Sequence, residues 1–106
     1  MSDFSEVVLQ TIERVQKVPS MYVTKPSFDA IGNFFVGYFS ALQDVTNIPY
    51  NYDISIWINR KKRTSLLWTA YIFHVLAKED ADKAYLLIFS ELKAFFEANA
   101  VSPESI

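Results

Sequence analysis

The stretch that decides the fold is residues 27–45, which read SFDAIGNFFVGYFSALQDV. Its large apolar residues recur every three or four positions, so at about 100° per residue they share one arc of a helix. These residues are Phe28, Ile31, Phe34, Phe35, Tyr38, Phe39, Leu42 and Val45. Ser27 is placed to cap the first turn with its hydroxyl, and Asp29 complements the helix dipole. The pattern predicts a central helix over 27–45.

A second stripe of this helix is made of small residues, Ala30, Gly37 and Ala41. A glycine inside a helix costs about 1 kcal/mol relative to alanine, so Gly32 and Gly37 are expected to serve packing. We therefore expect another helix to cross closely at Gly37, and Gly37→Leu to overpack that crossing.

Three further segments predict helices over residues 1–17, 66–78 and 81–98. Near the start of the first, Asp3 and Glu6 have the spacing of a capping box. The segment over 66–78 carries apolar residues nearly all round. Such a helix is buried on several sides or keeps an apolar face for a partner.

One further cap and one connection complete the predicted arrangement of helices. Asp80 is placed to cap the last helix. Pro19 and Pro26 restrict the residues that precede them, so residues 18–26 are expected to form an irregular connection.

Residues 53–62 fit two patterns. Ile54, Ile56 and Ile58 alternate with other residues, as in a strand. Ile54, Trp57 and Ile58 also have helical spacing. Because no second strand is evident to pair with a first one, a short helix is the preferred prediction.

The sequence thus predicts an all-α fold. It is a single-domain helical bundle of residues 1–106, with four main helices plus the short helix near residues 53–62. Residues 1–2 and 100–106 are expected to be loose tails.

Composition restricts the classes of function. The chain has 106 residues, no cysteine and a net charge of −2, so it has no disulfide, cysteine-ligated zinc or thiol catalysis. No apolar run approaches the roughly 20 residues that span a bilayer, and the N-terminus is polar and acidic, unlike a signal peptide. We expect a cytoplasmic protein without a membrane segment, and nucleic acid is not expected as a partner.

No arrangement of residues suggests catalysis. His74 is the sole histidine, and no second ligand or base accompanies it at a fixed spacing. A lone histidine at a helix edge is more often structural than catalytic. The sequence therefore predicts no enzyme, no cofactor and no metal site.

The longest run of charge is Arg60, Lys61, Lys62 and Arg63. Four consecutive cations make a candidate anion contact. The simpler interpretation is a solvated helix end, where cations complement the dipole, and it is preferred because the chain as a whole is acidic.

Several short motifs resemble those of a known family. They are Val18-Pro19-Ser20-Met21-Tyr22-Val23, Phe34-Phe35-Val36-Gly37-Tyr38 and Ser65-Leu66-Leu67-Trp68. They resemble a family of small bacterial proteins with an Arg-Pro-Gly-Met-Tyr-like segment and a Phe-Leu-x-Gly-Tyr helix. Here Val18 stands where that family has arginine, and Ser20 where it has glycine. Some members look like immunity proteins of bacterial toxin systems, so the resemblance implies a protein that binds and neutralises a toxin domain.

Aromatic side chains are the best candidates for contact with such a partner. Tyr50, Tyr52 and Trp57 are the predicted partner-facing residues, with Asp44 and Asp53 nearby in sequence. The alternative function is a homo-oligomeric structural or regulatory domain, such as a homodimer, that pairs through the apolar helix Leu66–Leu76.

Overall fold

The computed structural model describes residues 4–60 and 64–101 and is helical, without a strand in these ranges. The elements are α1 (Ser5–Lys17), a 3₁₀ turn (Pro19–Met21), α2 (Phe28–Thr46), α3 (Tyr50–Ile58), α4 (Trp68–Tyr71), a π-helical segment that continues α4 (Ile72–Leu76), and α5 (Ala81–Val101). The all-α bundle is confirmed. The ambiguous segment is a helix, but it begins at Tyr50 instead of Asp53.

The predicted loose tails can be compared with the structure only at residues 100 and 101. α5 continues to Val101, so residues 100 and 101 are helical instead of part of a tail. Asp3, residues 1–2 and residues 102–106 lie outside the described residues.

Two predicted helix caps are present. The Ser27 hydroxyl accepts a hydrogen bond from the backbone N–H of Ala30 at 3.1 Å. The Asp80 carboxylate accepts one from the backbone N–H of Lys83 at 3.1 Å. Each cap satisfies a donor that has no partner within its own helix, so these residues fix where α2 and α5 begin.

The core is built around the middle of α2. Phe35 and Phe39 are completely buried and stack on each other, with ring centroids 5.9 Å apart. Phe39 also contacts Trp68 of α4 at 6.1 Å and Phe96 of α5 at 5.6 Å. α1 packs mainly along α5. The middle of α2 thus supplies the aromatic centre of the core, whereas α5 is the helix that packs on most of the others, namely α1, α2, α3 and the π-helical segment.

The two glycines of α2 have different surroundings. A side chain on buried Gly32 would meet the Cγ2 atom of Thr69 at 3.4 Å, so α4 approaches α2 closely there. Gly37 faces open space, and Ala41 is exposed. The predicted close crossing at Gly37 is therefore wrong, because the helices that cover α2 lie against its other sides.

The helix predicted over residues 66–78 is shorter in the structure and changes from an α-helix to a π-helix. α4 begins at Trp68 instead of Leu66, and the turn from Ile72 is π-helical. Trp68, Tyr71 and Ile72 are buried, while Phe73, Val75 and Leu76 pack partly against the core. Burial on several sides within the chain therefore explains its apolar character.

The helices differ from membrane-spanning segments. Among residues 4–60 and 64–101, none combines the length and the apolar content that crossing a bilayer requires.

Candidate functional site

Polar side chains on one side of α3 fix that helix to its neighbours. The Asn51 amide donates to the backbone carbonyl of Val36 in α2 at 3.0 Å. The Ser55 hydroxyl accepts from the backbone N–H of Trp68 at 2.9 Å. Asn59, which is buried, donates to the carbonyl of Leu66 at 2.8 Å. α3 is therefore held in one orientation, with its opposite side turned to solvent.

The outward side of α3 carries two large apolar residues. Tyr52 is 65% exposed and Ile56 is 58% exposed. They are four residues apart on a helix, so their side chains are neighbours on its surface. We call the surface formed by Tyr52, Asp53, Ile56 and Trp57 the α3 outer face.

Trp57 closes one edge of this face. Its ring packs edge-on against Phe95 of α5, with centroids 5.6 Å apart, and it is half-buried. The guanidinium carbon of Arg60 lies 4.1 Å from the centroid of the Trp57 ring. Arg60 also donates to the Trp57 carbonyl. Arg60, the first residue of the candidate anion contact, thus binds Trp57 of its own chain.

Asp53 is the charged residue of the α3 outer face. It is half-buried, and burial raises the pKa of its carboxyl because the charged form is desolvated. No donor among the described residues bonds to this carboxylate. Asp53 therefore presents a partly desolvated negative charge next to Tyr52.

The structure brings together some predicted site residues and not others. Tyr52, Asp53 and Trp57 share the α3 outer face. Tyr50 is 7% exposed and packs on Phe39 and Phe96 at 6.0 Å from each, so its prediction as a partner-facing residue is wrong.

Two further predictions concern residues away from this face. Asp44 is exposed but belongs to α2. Lys61, Lys62 and Arg63 of the candidate anion contact lie outside the described residues.

Ile56 is the residue of this face that the sequence analysis missed. Residues two positions apart lie about 200° apart around a helix axis, so the burial of Tyr50 and Ile54 places Tyr52 and Ile56 on the opposite side. The available signal was the spacing of four between Tyr52 and Ile56.

A second surface lies at the other end of α2, where two open hollows share Phe28 as a wall. A hollow of about 190 Å³ lies between α2 and the α4–π helix. A hollow of about 440 Å³ lies between the start of α2 and the start of α5. We call them the Phe28 hollows. The first is lined by Phe28, Asp29, Gly32, Asn33, Thr69, Ala70, Phe73 and His74. The second is lined by Pro26, Ser27, Phe28, Ala81, Asp82, Tyr85 and Leu86.

An unusual backbone borders the first hollow. The Ala77 N–H bonds to the Ile72 carbonyl five residues back, at 2.8 Å, which widens this turn to a π-helix. Lys78 and Glu79 then adopt left-handed backbone angles, with φ of 52° and 67°. This turn brings the Glu79 carboxylate to 3.1 Å from the Nδ1 atom of His74. The sole histidine thus contacts Glu79 through a surface hydrogen bond at the rim of the hollow.

The described residues do not form a metal site. Within that part of the chain, no three His, Asp or Glu residues lie close enough to hold an ion together.

Comparison with protein-family models, with curated proteins and with solved structures found no match to this chain.

Proposed function

We propose that this chain is a non-enzymatic, cytoplasmic protein-binding protein of the immunity type, which neutralises a bacterial toxin domain by covering it with the α3 outer face. One observation carries the proposed interface. Tyr52 and Ile56 are large, adjacent and each more than half exposed on a helix whose other side is fixed.

The size and rigidity of this surface favour binding. A single exposed apolar residue is ordinary on any protein, but a tyrosine beside an isoleucine offers a continuous apolar contact. Tyrosine is enriched among the residues that dominate binding energy at interfaces. Because Asn51 and Ser55 already hold α3 in place, a partner would not have to order it, which lowers the entropic cost of association.

The charge of the same face favours a partner with a basic group. Asp53 is partly desolvated in the free protein. A lysine or arginine placed opposite it would stabilise the charged carboxylate. Charges of this kind at an interface increase specificity and the rate of association more than affinity.

The toxin as the class of partner is supported by the resemblance. The motifs around Pro19 to Tyr22 and around Gly37-Tyr38 are similar to those of small bacterial proteins that include immunity-like members. In the structure Tyr22 packs on Phe34, with centroids 5.6 Å apart, so these motifs contribute to the fold. The partner-binding residues lie elsewhere, on α3.

Coexpression with the product of a toxin gene adjacent to the gene for this chain tests the proposal. We expect the wild-type chain to copurify with the toxin and to restore growth. The Tyr52→Ala/Ile56→Ala double variant is expected to lose both effects while keeping the thermal stability of the wild type. Met21→Ala is the matched control, since Met21 is even more exposed, at 76%, but lies outside α3.

Two results would overturn the proposal. Absence of both copurification and protection with the wild-type chain would overturn the toxin-binding function. Full protection by the double variant would overturn the assignment of the interface to α3.

The alternative of a homodimer through Leu66–Leu76 has lost the observation that motivated it. The apolar residues of that segment mostly contact the core of their own chain, and Leu67 is the large apolar residue there that stays exposed. Light scattering at micromolar concentration measures the oligomeric state directly.

A further inference from the structure

Arg60 is held in one place at the edge of the α3 outer face. Its guanidinium carbon lies 4.1 Å from the centroid of the Trp57 ring, where the aromatic face attracts a cation. One guanidinium nitrogen also donates to the backbone carbonyl of Trp57. These two contacts restrict a long, exposed side chain that would otherwise sample many rotamers. Arg60 therefore presents its positive charge at a defined position.

The fixed guanidinium keeps donors for a further group. A guanidinium has five N–H donors in a planar fork, and the bond to the Trp57 carbonyl engages one of its nitrogens. Among the residues that the structure describes, no carboxylate forms an ion pair with Arg60. Because a planar fork binds a carboxylate through two parallel hydrogen bonds, a carboxylate from another molecule is the group that Arg60 fits best.

Asp53 supplies the opposite charge on the same side of α3. It lies one turn before Trp57, so the two side chains are neighbours on the helix surface. Asp53 and Arg60 are seven positions apart, which is about 10 Å along a helix axis, and they form no ion pair with each other. The α3 outer face thus has a half-buried negative group near the start of α3 and a fixed positive group two residues after its end.

The apolar part of the face lies beside these charges. Ile56, which is 58% exposed, falls between Asp53 and Arg60 in the chain, and Tyr52 is its neighbour one turn earlier. A partner that covers the apolar contact therefore also meets both charges. The order of the charges is fixed, because Asn51 and Ser55 hold α3 in one orientation.

We propose that the α3 outer face selects its partner, and sets the direction in which it binds, through this pair of opposite charges. The partner segment carries a lysine or arginine opposite Asp53 and a carboxylate bound by Arg60. An apolar side chain between them packs on Tyr52 and Ile56. The same segment in the reverse direction would place like charges against each other, which disfavours it. This inference rests on the proposed function, since the segment belongs to the toxin that the face covers.

Charge reversal tests the inference with the purified product of the adjacent toxin gene as the probe. Calorimetry gives the Kd of the toxin for the full chain and for the variants Asp53→Lys, Arg60→Glu and Asp53→Lys/Arg60→Glu. We expect each single reversal to raise Kd about tenfold, because it opposes two like charges at the interface. The double variant is expected to raise Kd further.

A general attraction between net charges predicts a different pattern. Asp53→Lys makes the chain more positive and Arg60→Glu makes it more negative, so the two reversals would shift Kd in opposite directions and cancel in the double variant. Weakening by both single reversals therefore distinguishes a specific pair of contacts from the attraction between two charged proteins.

Three further variants are matched controls. Glu13→Lys on α1 and Lys83→Glu on α5 change the net charge by the same amounts at exposed positions on other helices, and we expect them to leave Kd nearly unchanged. Arg60→Lys keeps the positive charge but not the planar fork, and is expected to raise Kd several-fold. Thermal unfolding shows whether each variant is folded, and Arg60→Lys keeps the test valid if Arg60→Glu is not.

The wild-type chain separates failure of this inference from failure of the proposed function. Absence of toxin binding by the wild type would overturn both. If the wild type binds and Tyr52→Ala/Ile56→Ala does not, three results would overturn this inference alone. They are an unchanged Kd in both single reversals, opposite shifts that cancel in the double variant, and equal weakening by the controls Glu13→Lys and Lys83→Glu.

Discussion

The indole Nε1 of Trp68 donates to the side-chain oxygen of Asn51 at 2.9 Å, and this bond joins α4 to α3 inside the protein. Trp68 is completely buried. The same Asn51 side chain donates to the Val36 carbonyl at 3.0 Å, so it connects three helices. Because the α3 outer face lies on the other side of the same short helix, its position depends on this residue.

Asn51→Ala is expected to destabilise the fold by about 1–3 kcal/mol, because a buried indole N–H then lacks an acceptor. Urea denaturation measures the change in the free energy of unfolding. Asn33→Ala is the control, since it also replaces a helical asparagine by alanine, but at an exposed position. Equal effects of the two substitutions would show that the bond between Asn51 and Trp68 contributes nothing.

Glycines 32 and 37 predict opposite effects of one substitution. Gly32→Leu is expected to destabilise by about 1–3 kcal/mol, because the side chain overpacks the approach of Thr69. Gly37→Leu meets open space and is expected to stabilise α2 by about 0.5–1 kcal/mol through helix propensity. Thermal unfolding of the two variants measures both changes in stability. A destabilised Gly37→Leu would mean that a helix covers this side of α2 after all.

Lys78 occupies a backbone conformation that glycine adopts without strain. Its φ of 52° is left-handed, and it lies two residues after Leu76, the last residue of the π-helical segment. Lys78→Gly is therefore expected to stabilise the protein by about 1 kcal/mol in denaturation experiments. Lys83→Gly, inside α5, serves as the comparison and is expected to destabilise by about 1 kcal/mol. Destabilisation by both would show that the left-handed turn carries no strain.

The sequence predicted the helices better than it predicted how they pack against one another. α2 was predictable because its apolar arc and its Ser27 cap are local features. The surroundings of Gly37 were not, since a small residue permits a close crossing without requiring one. The exposure of Gly37 is decided by where α3, α4 and α5 pack.

The candidate site was also predictable from the sequence only in part. Tyr50 and Tyr52 are two positions apart and lie on opposite sides of α3, and only the packing of α3 on the core decides that the first is buried and the second exposed. This packing includes the contacts of Tyr50 with Phe39 and Phe96, which are distant in sequence. The π-helical turn gave no signal at all, because no glycine or proline marks residues 72–76.

Asp53→Asn tests the electrostatics of the α3 outer face through the pH dependence of stability. Burial raises the pKa of the Asp53 carboxyl above its unfolded value. The folded protein therefore holds this proton at pH values where the unfolded chain has lost it. By linkage, the contribution of Asp53 to stability falls as the pH rises through this window, and at neutral pH it is an unfavourable one.

Asp53→Asn removes the charge, so we expect the variant to be more stable than the wild type at pH 7. The difference should shrink as the pH falls below the ordinary range of an aspartate. Urea denaturation of both proteins at a series of pH values gives this difference directly, because all other titrating groups are shared. A difference that is independent of pH, or that grows on acidification, would contradict the raised pKa.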